Sequence, residues 1–221
     1  MNDSLDVREE TALRFFGNIS TSISHEIKNV LAIINENAGL LEDYNLMAEK
    51  GIPLNPERLK TLAETVMTQI RRADGLVKNM NKFAHSVDEA SKTVDLREIL
   101  ELVVALSSRF AAIRGVGLEL QPSSSAVSIL SSPFFLENLI WLVLDFAMNA
   151  TGNGKIVGLI TEKKEDGARV IFTQLDALGK AQMDEFPTER EKSLLHILNA
   201  KISLDHRAGQ IFIDLPAEIS L

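Results

Sequence analysis

The chain contains no cysteine. Disulfides, thiolate metal sites and cysteine nucleophiles are therefore excluded, and a reducing compartment is permitted. Long apolar runs are also missing: nothing approaches the roughly 18 uninterrupted residues that a bilayer span requires. The most apolar stretch, Phe134 to Ala150, is broken by Glu137, Asn138, Asp145 and Asn149, and reads as a core helix. The acidic start, Met1 to Glu10, has no basic segment followed by an apolar one, so no signal peptide is expected. Positive charge is scarce, with 23 Lys and Arg against 31 Asp and Glu and a formal net charge of −8. That balance argues against general nucleic-acid binding, which needs a basic face. What remains, 221 residues at 45% hydrophobic and 24% charged, has the composition of an ordinary globular protein with one large or two small domains. The expectation is a cytoplasmic protein, with no membrane contact and no DNA-binding module.

Two regions differ in texture, and the expected domains are 1–92 and 93–221. Up to residue 92 the pattern is helical, and the only prolines are Pro53 and Pro56. Phe16, Ile23 and Val30 recur every seven residues, with Ile27, Ile34 and Leu41 interleaved at three–four spacing. This predicts one apolar stripe along a helix over about 6–48. Gly51-Ile-Pro-Leu-Asn-Pro56 breaks that helix. Asn55-Pro56-Glu57 restarts one, with Asn as cap, Pro at the first helical position and Glu in the first turn. Leu59, Leu62, Val66, Ile70, Ala73, Val77, Met80 and Ala84 carry the second stripe, to about residue 88. A lone antiparallel hairpin has too few partners to bury both stripes, and pairing with a second copy as a four-helix bundle is the simplest remedy.

Beyond residue 95, short β-like runs alternate with helices. The reading is helix Leu96–Ile113, strands Val116–Leu120 and Ala126–Leu130, and helix Pro133–Ala150. A hairpin follows, Lys155–Glu162 with Ala168–Leu175, then helix Glu189–Ala200 and a last hairpin through Ala208-Gly209. Helices on one face of a mostly antiparallel sheet make this an α+β layer domain. Ser123-Ser-Ser is too short to be a linker.

The chemistry concentrates in Ser20-Thr-Ser-Ile-Ser-His25-Glu-Ile-Lys-Asn29. His25 lies two residues from both Ile23 and Ile27, about 200° of rotation from each, and so projects away from the buried stripe. Thr21 and Asn29 lie one turn away on the same face. A neutral imidazole has a free lone pair and is a competent nucleophile toward phosphorus. The Glu26 carboxylate can hold the proton on the other ring nitrogen and support the developing charge. Asn29 can orient a water or an oxyanion, and Lys28 offers a positive charge to the incoming phosphoryl group. A zinc-binding helix would need a second histidine four residues on, where Asn29 stands. The bland alternative is one surface histidine among four. The others read as structural: His85 at a helix end, His196 packed among Leu194, Leu195, Ile197 and Leu198, and His206 in a turn. Trp141 reads as core, and Arg71-Arg72 as an exposed pair able to contact an acidic partner surface.

The run from Phe16 through Ser-His25-Glu-Ile-Lys-Asn29 to Ile34 resembles the H-box of two-component sensor histidine kinases, with the second helix at the right distance. The resemblance implies that His25 accepts phosphate, that Glu26 is its base, and that Asn29 supports dephosphorylation of a partner receiver domain. Thr21, Ser22 and Lys28 would flank the docked receiver. An ATP-binding α+β domain follows the hairpin in that family, and the order of elements here is similar. Its nucleotide motifs are eroded. On the helix resembling the N-box, the two asparagine positions fall on Leu142 and Phe146, or in a shifted register on Asp145 and Asn149. The Asp-x-Gly-x-Gly position reads Asp176-Ala-Leu-Gly179-Lys180. The glycine-rich box before the last helix is replaced by Glu189-Arg-Glu-Lys-Ser-Leu-Leu-His196, whose carboxylates would repel phosphate.

An intact H-box beside a disabled nucleotide site resembles bacterial histidine phosphotransferases derived from kinases. The implied protein is a homodimer that relays phosphoryl groups between response-regulator receivers. It needs no cofactor of its own, since the receiver supplies Mg2+. The rivals are an ATP-dependent kinase using Asp145 and Asn149, a non-catalytic pseudo-kinase module, and a receiver phosphatase acting through Asn29.

Overall fold

The computed structural model describes residues 2–122, 126–152, 155–179 and 186–219, with side chains from Val7 onward. Ser123-Ser-Ser and Lys180 lie outside the described residues. Two long helices come first, α1 (Asn2–Glu49) and α2 (Pro56–His85). The break between them follows the local chemistry expected. Gly51 takes φ 72°, and the amide of Ile52 returns to the Met47 carbonyl at 3.0 Å. Asn55 then caps α2, its side-chain oxygen accepting from the Glu57 amide at 2.9 Å, with Pro56 as the first helical residue.

The stripes are only partly buried. Ile23, Val30 and Leu62 are buried, while Leu41, Ile70 and Val77 stay well exposed. One stripe position is corrected. Phe16 remains 39% exposed, and the buried residues at that level are Phe15 and Ile19. The reason is an aromatic cluster: Phe15 packs on Phe83, Phe134 and Trp141 with centroids 5.2–5.7 Å apart, leaving Phe16 to stack on the flank of Phe83.

The rest is an α+β fold. Its elements are β1 (Lys92–Asp95), α3 (Leu96–Arg114), β2 (Gly117–Leu120), β3 (Ser128–Ser131), α4 (Pro133–Asn149), β4 (Ile156–Lys164), β5 (Gly167–Thr173), α5 (Glu189–Ile197), β6 (Lys201–Asp205) and β7 (Gln210–Pro216). Strand β1 was not legible in its four residues. It pairs antiparallel with β3 in a small separate ladder. The main sheet runs β2-β4-β5-β7-β6, antiparallel except for β2 beside β4. That parallel pair is the signature of a crossover, here made through β3 and α4.

Alternation along the strands builds the core. Leu159 on β4, Phe172 on β5 and Ile211 on β7 stand in register and are fully buried, as are Leu136, Leu139, Ile140, Val143 and Leu144 of α4. Registered Ile160, Ile171 and Phe212 point to the opposite, half-covered face, where Arg169 bonds both Asp214 oxygens at 2.6 and 2.9 Å.

By contacts, Ser20–Asn81 forms one compact unit. The remaining described residues, up to Ile19 and from Lys82 onward, form the other. The expected boundary at residue 92 falls at the first residue of β1. The contact grouping instead follows the aromatic cluster, which ties Phe15 and Phe83 to α4. Among the described residues no helix is long and apolar enough to cross a membrane.

Candidate functional site

His25 lies in the middle of α1 with its side chain exposed, as are Thr21 and Asn29 one turn to either side and Lys28 beside them. These four therefore share open surface around the imidazole. Ser22 does not join them. It is 5% exposed, so its hydroxyl is not on the surface that Thr21, His25, Lys28 and Asn29 share, contrary to the expectation for it. Ser22 directly follows Thr21, and 100° of helical rotation is enough to take it from the surface to the interior.

Glu26 stands apart from His25 in another way. It follows Ile23 by three residues and precedes Val30 by four, which places it along the flank of the buried stripe. Its side chain is only 14% exposed, and its Oε2 accepts a hydrogen bond from Nη2 of Arg72 on α2. The sequence pairs Arg71 with Arg72 as two exposed cations. The structure separates them: Arg71 turns its Nε to the Met67 carbonyl of its own helix at 3.2 Å, and Arg72 reaches the other helix. A 46-residue separation hides this contact from any local pattern, although the place of Glu26 beside the stripe was legible.

In the second unit, the positions that resemble a nucleotide site are filled by the fold. Leu142 is buried in the core. Phe146 stacks on Phe186 with centroids 3.9 Å apart and planes 13° from parallel. In the shifted register, Asp145 accepts from Arg114 at 2.8 Å, and the Asn149 amide bonds the Asp145 carbonyl at 3.2 Å. Ala177 and Leu178, where the first glycine of the Asp-x-Gly-x-Gly pattern would fall, are both buried. Asp176 is exposed.

The start of α5 is closed by its own side chains. Thr188 and Glu191 form a capping box, Glu191 accepting from the Thr188 amide at 2.7 Å. A phosphate at this helix end would meet that buried negative charge instead of free N–H groups. Among the described residues no group of three or more His, Asp or Glu could hold a metal ion.

The remaining histidines are peripheral. His85 contacts Asp88 at 2.7 Å at the end of α2. His196 is exposed, not packed as expected, because α5 ends at Ile197 and buries Leu194 with the following Leu198. His206 is exposed in its turn, and Trp141 is core.

Among the described residues Glu137 carries the most displaced acid, and nothing in the sequence marked it beyond a break in an apolar run. It is 2% exposed on α4, and burial pushes its carboxyl up to about 8. The Ser86 hydroxyl, which donates to the Phe83 carbonyl at 2.8 Å, opposes part of that shift.

No family model matches the sequence, and no curated relative matches it. Among solved structures, the chain is similar to the Acinetobacter baumannii histidine kinase AdeS at 13% identity and a TM-score of 0.49, covering 87% of this chain and 98% of that one. It is similar to the ATP-binding domain of PrrB from Mycobacterium tuberculosis at 14% identity and a TM-score of 0.48, covering 58% and 98%. The cytoplasmic segment of histidine kinase QseC gives 17% identity and a TM-score of 0.42, covering 67% and 95%. Each is a histidine kinase or a segment of one. At such distances residue roles rest on this chain's own side chains.

Proposed function

We propose that this chain is a cytoplasmic histidine phosphotransfer protein of a two-component relay, dimeric through its helical hairpin. The observation that carries the reading is a contrast within one chain. The histidine of a Ser-His-Glu-x-x-Asn pattern is open to a macromolecular partner, while the nucleotide positions are taken by Leu142, Phe146 stacked on Phe186, and Asp145 paired with Arg114.

A phosphorylated receiver docks over Thr21, His25, Lys28 and Asn29. A ring nitrogen of His25 attacks phosphorus in line, the aspartyl P–O bond breaks, and the aspartate leaves with its electron pair. Mg2+ belongs to the receiver's acidic pocket. Reversal on a second receiver completes the relay. Exposed Asn29 is also placed to orient a water against a receiver's phosphoaspartate, so phosphatase activity can share the site.

The test pairs two donors. Receiver domains carrying labelled phosphate and, separately, labelled Mg-ATP are mixed with wild type and His25→Ala. Label passing from a receiver to wild type and not to the variant, with none from ATP, is the expected result. Label from ATP on His25 would restore an active kinase. A receiver that binds both proteins equally, with transfer to neither, would make the chain a binding module.

A further inference from the structure

We infer that Arg72 is a positioning residue for phosphoryl transfer at His25, acting from the facing helix through the Glu26 carboxylate. The inference rests on the reading of His25 given above. Glu26 and His25 are successive residues on one rigid helix, so whatever fixes the Glu26 carboxylate fixes a negative charge next to the nucleophile. A glutamate on a helix surface has three rotatable bonds and holds no single position unaided. Arg72 supplies the constraint, since its guanidinium bonds Glu26 Oε2 and the acid is largely withdrawn from water. Arg71, the adjacent cation, is bonded to its own helix backbone.

The chemistry needs such a partner. When the lone pair of one His25 nitrogen forms the N–P bond, the proton on the other nitrogen stays, and the ring becomes cationic. A nearby carboxylate offsets that charge. The same carboxylate, unpaired, would repel the incoming phosphoryl oxygens, and a guanidinium beside it removes the repulsion while keeping the carboxylate in place. Arg72 touches neither phosphorus nor imidazole in this scheme and does its work through Glu26.

The test compares wild type with Arg72→Ala, Arg72→Lys, Glu26→Gln and the double variant Arg72→Ala/Glu26→Gln, each full length. Transfer from a phosphorylated receiver is measured in single turnover at saturating receiver, with receiver affinity measured separately. Arg72→Ala is expected to slow transfer roughly 10- to 100-fold, the range for misplacing a group at a reacting centre, with affinity changed less than about twofold. Arg72→Lys recovers part of the rate, and the double variant is no slower than Glu26→Gln alone. Wild-type rates in Arg72→Ala, losses that multiply in the double variant, or a loss confined to affinity would each overturn the assignment.

Potassium phosphoramidate serves as a second donor, because it needs no receiver: the P–N bond breaks and ammonia leaves as His25 takes the phosphoryl group. The same order of rates is expected there. If no receiver phosphorylates wild type, the relay function fails, and the phosphoramidate series still decides the role of Arg72.

Discussion

Glu137 shows how one residue's surroundings can override its ordinary chemistry. Its carboxyl is buried on α4, and its ionisation is displaced upward to about 8 from the usual 4.5. Between those two pH values the folded chain keeps a proton that the unfolded chain has released. Stability therefore falls as pH rises through this window and levels off above about 8, with up to about 1.4 kcal/mol lost per pH unit from this group. Glu137→Gln keeps the size and removes the titration. Urea unfolding at pH 5 and pH 8 is expected to show wild type losing on the order of 3–4 kcal/mol more than the variant across that interval. Equal losses would mean that the carboxyl ionises normally inside the fold. The same scale governs His25 and Glu26, neighbours in the chain, the imidazole open to a partner and the carboxylate tied to Arg72.

The turn between β4 and β5 is the element whose geometry is least forgiving. Gly167 takes φ 151°, and a Cβ there would lie 2.0 Å from the Leu215 carbonyl oxygen and 2.8 Å from the Ala217 amide nitrogen. Neither neighbour is a flexible side-chain end. They are backbone of β7 and its exit, held by the β5–β7 ladder. Gly167→Ala is expected to cost about 3 kcal/mol in chemical denaturation, combining an unfavourable φ with a backbone clash. A loss below about 0.5 kcal/mol would show that the hairpin simply shifts. Gly39 on α1 is the control, since a Cβ there meets nothing within 4 Å. The same substitution at Gly39 adds helix propensity and should be neutral or mildly stabilising.

For the whole molecule, the hairpin surface carries more apolar area than a lone chain comfortably shows to water. Leu31, Leu46 and Met67 are 51–57% exposed, and Ile70 and Val77 are each 47% exposed. Residues of this size in repeated positions along both helices are what a second copy would cover. Sedimentation velocity is expected to find a dimer, and Ile70→Asp to shift it toward monomer without unfolding either unit. A monomeric wild type across a wide concentration range would remove the four-helix bundle from the proposal. It would leave His25 exposed on its helix.

Local physics was enough for much of this protein. Period-3.6 stripes and the Gly51 to Pro56 break determined the two helices, because capping and proline geometry act over a few residues. Alternating apolar residues determined the α+β class and most strands, and the position of His25 opposite Ile23 and Ile27 determined its exposure. Strand β1 escaped notice because Lys92-Thr-Val-Asp95 holds a single apolar residue and so shows no alternation. Tertiary structure alone decided which of Phe15 and Phe16 is core, since the answer lies in the rings of Phe83, Phe134 and Trp141. It alone turned Ser22 inward, stacked Phe146 on Phe186, and raised the Glu137 ionisation by burial. It also joined Glu26 to Arg72 across 46 residues of sequence. Charges and rings act through space, and their partners are set by how the chain packs, which no window of neighbouring residues contains.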